Sequence, residues 1–373
     1  MDTRSIYITG KQACKLHRLA RDGEIVTAST SDERLAPLDD SIHQLDDLHV
    51  GSLISFLDVG DKSPLSLLVP NDASRRWTSS LRTSVITSDL PSGSFLELHP
   101  GKNPKKRIEL PDDTRVFIDA PWLAILQSAR VLEHSIAHGT MSRLSATLRL
   151  MEFADECCGS YYQDANKPRV AKAHFDDINE CTRFTDADSL RRAIELVHDI
   201  DGIKLARVAV RYAIDGSGSP MESYLNHAMT LPPRLGGLSM RKPLVNAPLQ
   251  VDESVWAKLK HDCLRPDLQW PDQKMLVEYL GDEEHAGKPA RTEDKNRIQD
   301  YMIAQYATFP LMFDDVRNKS ALGKTAMMLA REFMRRGVRK EAYRVSSYLR
   351  DEDFLAQQGV LIATLLPPVT RYE

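Results

Sequence analysis

The sequence predicts an α+β protein of several domains: strand-rich over 1–115, helical over 116–215, α/β over 216–318, and a helical extension over 319–373. Three observations lead there. The chain has 373 residues, more than one ordinary core organises, so two or three domains are expected. Short apolar runs broken by turn residues give way near Asp119 to apolar positions at helical spacing. After Gly216-Ser217-Gly218, which reads as a hinge, the pattern changes again to one helix followed by short strands.

Composition narrows the class. Hydrophobic residues make up 42% and charged residues 27%, as in a soluble globular chain. A net charge of −4 excludes a protein that is basic overall, so any nucleic-acid surface must be a local cluster of Lys and Arg. The five cysteines, Cys14, Cys157, Cys158, Cys181 and Cys263, form no CxxC pair and no zinc-like spacing. Reduced thiols and a cytoplasmic setting are expected. Met1 to Gly10 does not read as a signal peptide, and the longest apolar stretch, 359–366, is too short to span a bilayer.

In the first part, a short helix near Lys11–Ala20 is expected to precede strands at Ser52–Val59, Ser66–Val69, Thr83–Thr87 and Ser94–Leu98. Arg75-Arg76-Trp77 is a basic, aromatic cluster that reads either as a phosphate contact or as plain surface. Next, Asp119 is expected to cap a helix carrying Trp122, Ile125, Leu126, Ala129 and Leu132. Helices over Ser142–Cys157, over Thr185–Ile200 with Thr185 as cap, and over 203–214 follow. Their apolar stripes read as core.

Ser219-Pro220-Met221-Glu222 is a strong helix start: Ser219 as N-cap, Pro220 at the first helical position, Glu222 where a capping box closes. Strands are expected at Leu244–Val251, Leu264–Trp270 and Lys274–Leu280, a helix over Thr292–Tyr306, and a strand over Phe309–Phe313. This α-β-β-β-α-β order implies a three-layer arrangement. Beyond it, Leu322, Ala326, Leu329 and Phe333 mark a helix that Gly337 stops.

Chemistry concentrates in Arg265-Pro266-Asp267-Leu268-Gln269-Trp270-Pro271 and Val277-Glu278-Tyr279-Leu280-Gly281. A turn at Pro271-Asp272 would pair the two segments and bring Asp267 and Glu278 to one end of a hairpin. Converging carboxylates suit a hard cation such as Mg2+, which needs only one or two protein ligands. Glu278 interrupts an apolar run, where an acid is costly unless paired or bound to metal. Glu222 is a third candidate, also explained by its capping role. His285 could orient water or contact a phosphate oxygen, and reads equally as an exposed loop residue. Arg331, Arg335, Arg336, Arg339, Lys340 and Arg344 form a candidate nucleic-acid surface, or a solvated helix end.

The run Arg-Pro-Asp-x-x-Trp-Pro, then Val-Glu-Tyr-x-Gly with His285 after it, resembles the very-short-patch-repair-like endonuclease family of PD-(D/E)xK nucleases. Asp294 and Arg297 resemble its Asp-x-x-Arg helix start, Phe313-Asp314-Asp315-Val316 its last strand and turn, and Ser219-Pro220-Met221-Glu222 its acidic first helix. The resemblance covers Ser219 to Val316 and implies a restriction-endonuclease-like α/β domain acting on DNA with Mg2+. On that reading Glu222, Asp267, Glu278 and His285 are the catalytic candidates: Asp267 and Glu278 would hold the metal, Glu222 or Asp282 would complete the site, and His285 would assist. The family places an acid or Lys two residues after the Glu, where this chain has Leu280; Asp282 stands one pleat further. Upstream cues, among them Glu156-Cys157-Cys158-Gly159 and Leu235-Gly236-Gly237, resemble hypothetical proteins of actinobacteria, some similar to abortive-infection antitoxins. Three readings stand open: a metal-dependent DNA endonuclease in defence or repair, an inactive DNA-binding or antitoxin-like regulator keeping the fold, and a structural partner in a defence or toxin–antitoxin complex.

Overall fold

The computed structural model describes residues 4–21, 23–30, 34–48, 50, 53–54, 57, 59, 63–101, 114–162, 179–280 and 288–366. The fold is α+β with mixed sheets, arranged as two compact units. One is built mainly from Met1–Cys157 and Asn179–Ala213, the other from Ile214–Glu373. The strand-rich and helical stretches expected as separate domains thus fall largely in one unit. No helix among the described residues is long and apolar enough to cross a membrane.

In the first unit, β1 (Arg4–Ile8), β2 (Ile25–Ser29), β3 (Leu65–Val69), β4 (Leu81–Val85), β5 (Phe95–Pro100) and β6 (Thr114–Asp119) form a sheet ordered β2-β5-β6-β1-β3-β4. β1 runs parallel to β6, and β3 parallel to β4. Helix α1 (Gly10–Arg21) packs Ala13, Leu16 and Leu19 into the core beside Ile6, Ile8, Val116 and Ile118. Helices α2 (Pro121–Ala137), α3 (Arg143–Cys158), α4 (Ala187–Glu195) and α5 (Ile203–Arg211) follow. The short strands β7 (Tyr161–Tyr162) and β8 (Asn179–Glu180) stand in sequence between α3 and α4.

Two local expectations are corrected here. Within Ser52–Val59, read as a strand, the described residues Leu53, Ile54 and Leu57 are helical, and Ile54 N donates to Val50 O. Apolar residues alone do not distinguish a buried helical turn from a strand. Asp119 is not the cap of α2. Ala120 holds that position, with Pro121 next, while Asp119 is fully buried and accepts hydrogen bonds from Thr9 Oγ1 at 2.5 Å and Gly10 N at 3.1 Å. It therefore ties the start of α1 to the end of β6. Burial pushes its carboxyl up to about 7. Glu156 is likewise structural: Arg18 grips it through two hydrogen bonds of 2.7 Å.

In the second unit, α6 (Pro220–Thr230) leads to β9 (Leu244–Val245), a short α7 (Glu253–Trp256), β10 (Leu268–Trp270), β11 (Met275–Tyr279), α8 (Lys288–Ile303) and β12 (Ala307–Leu311). The sheet order is β12-β11-β10-β9, with β10 antiparallel to both neighbours and β11 parallel to β12. Leu276 packs with Tyr301 of α8 and Ala304 just after it on one face. On the other, Trp270 meets Phe333 of α9 (Lys319–Arg335) edge-on at 5.2 Å. The sheet is thus sandwiched between α8 and α9. Helices α10 (Arg339–Tyr348) and α11 (Glu352–Leu365) complete the unit.

A polar clip fixes the segment after α7 onto α8. His261 places Nδ1 2.6 Å from buried Asp300 and Nε2 2.7 Å from Glu293, while the amides of Lys260 and His261 also donate to Asp300. The hydrogen bond to Asp300, then that to Glu293, raises the His261 pKa. Its stabilisation is complete below the unfolded histidine pKa and disappears as pH rises through the higher folded value. His261→Ala should cost about 1–2 kcal/mol near pH 5.5 and measurably less at pH 9. Urea melts of both proteins at the two pH values check this; an equal loss at both would contradict a charged clip.

Candidate active site: a carboxylate cluster at the end of a hairpin

Trp270-Pro271 closes β10, and a 3-10 turn over Pro271–Gln273 reverses the chain. Lys274 takes the left-handed conformation, φ 45°, that completes the reversal. The resulting register pairs Trp270 with Met275, Gln269 with Leu276, and Leu268 with Val277. Continued by one residue, it sets Asp267 opposite Glu278. Directly opposed residues of an antiparallel pair project to the same face, here the face that Leu276 and α8 share. Asp267 Oδ2 accepts from Tyr279 N at 2.6 Å, which fixes one oxygen. Its Oδ1 accepts no hydrogen bond among the described residues.

Glu278 is 1% exposed, and two residues of α8 reach it. Arg297 Nη1 lies 2.9 Å from Oε1, and the Tyr301 hydroxyl donates at 3.3–3.4 Å. Asp294, one helical turn before Arg297, holds the same guanidinium at 2.6 Å. The Asp-x-x-Arg pattern thus orients an arginine onto Glu278. Arg297 Nε is buried and has no partner among the described residues.

Glu222 enters from the other side. Ser219 caps α6 as expected, its Oγ accepting from Glu222 N at 3.2 Å. The reciprocal half of the capping box is displaced: Glu222 Oε2 accepts from Gly218 N at 2.6 Å and from Asn246 Nδ2 at 2.5 Å. Asn246 adopts φ 46°, a left-handed geometry that asparagine tolerates better than most residues. Its N donates to Asp267 O at 3.2 Å, so Asn246 links Glu222 to the hairpin.

The three acids influence one another. Burial, then the charges of Glu222 and Glu278, hold the Asp267 carboxyl well above its ordinary range. Burial raises Glu278 to about 7 against the opposing pull of Arg297, and Glu222 adds to the rise. Glu222 is raised by burial and partly restored by Gly218 N and Asn246. Such a cluster attracts protons or cations. Among the described residues, no three or more His, Cys, Asp or Glu side chains are grouped so that they could hold a metal ion.

The other expected residues divide. Asp282 and His285 lie outside the described residues. Leu280 is half-buried on the face of Glu278, its amide bonded to Leu311 O. Arg335 and Arg336 are far from bare cations: both pair with Glu332, and Arg336 also donates to Gln273 O at 2.8 Å. Arg344 pairs with Glu341, whereas Arg331, Arg339 and Lys340 are exposed. Asn246 and Tyr301 were not anticipated. Neither has a sequence signal, because each reaches the site through tertiary packing.

The raised acids give a pH signature. Carboxyls whose folded pKa exceeds the unfolded value contribute stability below about pH 4.5, and this contribution is lost as pH rises through their folded values, about 7 for Glu278. Asp267→Asn removes one of the repelling charges yet keeps an oxygen for Tyr279 N. Its melting temperature should exceed that of the wild type by a few degrees at pH 8 in EDTA, with little difference at pH 4.5. Thermal melts at the two pH values test this, and a variant less stable at pH 8 would contradict it. Compared with known proteins, the chain matches no family model, no curated protein and no solved structure.

Proposed function

We propose that residues 216–318 form a PD-(D/E)xK-type nuclease domain that hydrolyses DNA phosphodiesters with a divalent cation, Mg2+ by preference, at Asp267 and Glu278. The observation that carries this reading is the hairpin register, which opposes the two acids beneath α8 with Glu222 in electrostatic reach. With the short α7 between β9 and β10 set aside, the order of the second unit, one helix, three strands, a helix and a strand, supports it.

The donor set fits a hard cation. It consists of carboxylate oxygens, Asp267 Oδ1 is free of hydrogen bonds among the described residues, and Asp267 and Glu222 are each partly open to solvent. Two protein ligands plus water satisfy Mg2+, so a closed cage is not required. When bound, such an ion would polarise a phosphoryl oxygen and acidify a coordinated water. The chain's own groups supply the rest. Tyr301 and Arg297 hold Glu278 in place. Arg297 also brings positive charge beside the acids. Burial raises Glu222 above the ordinary carboxylate range, which favours its binding a proton.

The second reading is a DNA-binding, antitoxin-like regulator without catalysis, in a defence or toxin–antitoxin setting. Two observations favour it: Leu280, and the ion pair by which Arg297 balances the charge of Glu278.

Plasmid nicking with Mg2+ or Mn2+ separates the two. Glu278→Gln should lower cleavage by at least about a hundredfold, the upper range for disturbing a metal's surroundings. Leu280→Asp adds an oxygen on the same face at a half-buried position, and should increase the rate while the domain stays folded. DNA binding without cleavage by either the wild type or a folded Leu280→Asp variant would reject the nuclease and leave the regulator.

A further inference from the structure

The outward side of α9 forms one wall of an open groove of about 740 Å³, completed by Leu349 after α10 and Leu355 of α11. It is separate from the carboxylate cluster, which lies on the opposite face of the sheet. Its order along α9 is regular. Lys319 and Lys324 stand at one end, Met327 and Met328 at the centre, Arg331 and Arg335 at the other. Lys319 to Arg335 spans about 24 Å of helix axis at 1.5 Å per residue. Met328 is 43% exposed, a large apolar side chain left in solvent. Lys319, Lys324 and Arg331 make no ion pair among the described residues, whereas Arg335 shares Glu332. Gly323 sits in mid-helix, where glycine is unfavourable. A Cβ there would come within 3.2 Å of Leu349 Cδ2, so its absence lets the second wall close in.

We propose that this groove docks a short amphipathic helix of a partner protein, with apolar residues at its centre and acidic residues at both ends. An apolar floor of two methionines and two leucines suits an apolar helix face, since unbranched methionine adapts to varied shapes. Cations at both ends demand complementary acids. A nucleic-acid backbone would use the cations but gains nothing from the central methionines, which favours a protein ligand over DNA. The inference is independent of the nuclease reading.

The test pans a display library of random 16-residue peptides on the full chain and counter-selects on Met328→Asp/Arg331→Glu. Both changed side chains are exposed, so the variant should keep its fold, to be verified by circular dichroism and by an unchanged melting temperature. The expected result is a set of peptides with an apolar i, i+3, i+4, i+7 centre and acidic ends. They should bind the wild type at least about tenfold more tightly than the variant, as for loss of a central contact. A second variant, Lys324→Glu, should weaken the same peptides and restore those with a basic end. Recovered peptides that bind wild type and variants alike would overturn the proposal. So would a groove that yields no peptide but binds a 20-base-pair duplex lost in the variant, which would assign the surface to DNA.

Discussion

Two acids placed face to face at the end of a hairpin repel each other, and burial deepens that repulsion because little water screens it. Asp267 and Glu278 are in this position because the turn after Trp270 permits one register only. A slip of one residue would send Trp270 away from Phe333 and Gln269 away from its carbonyl partners Ala247 and Pro248. Apolar and polar packing at the middle of the hairpin therefore enforces a costly arrangement at its end. The chain offsets the cost with Arg297 and Tyr301 of α8, the Tyr279 amide of β11 and Asn246 after β9.

That compensation is also what makes the site chemically capable. Arg297 partly neutralises Glu278, yet Asp267 retains a free oxygen and Glu222 stays partly open to solvent. On the nuclease reading, a cation arriving there would exchange with protons rather than displace a finished network. The same arrangement is compatible with a regulator, because Arg297 and Tyr301 already engage Glu278. Nuclease and regulator differ in whether a metal outcompetes this internal charge pair.

The parts of the fold legible in the sequence were those encoded locally. Ser219 capping Glu222, the Pro271 turn between two apolar runs, and the α9 stripe ending at Gly337 are decided within a few residues. The parallel pairing of β1 with β6 joins segments about a hundred residues apart, and neither announces its partner. Asp119 looked like a helix cap because it precedes a helix, yet it serves a different helix reached through that pairing. At the candidate site the two strand acids and Arg297 could be read from motif spacing. Asn246 could not, since its role depends on a left-handed backbone at the end of β9. The offset of the capping box is equally tertiary: Glu222 Oε2 accepts from both Gly218 N and Asn246 Nδ2.

The claim that most depends on this geometry is that Asp267 and Glu278 share a cation. Crystals soaked in Mn2+ and measured at the manganese absorption edge test it directly. One anomalous peak touching both carboxylates is the expected result. No manganese between the two acids would contradict it.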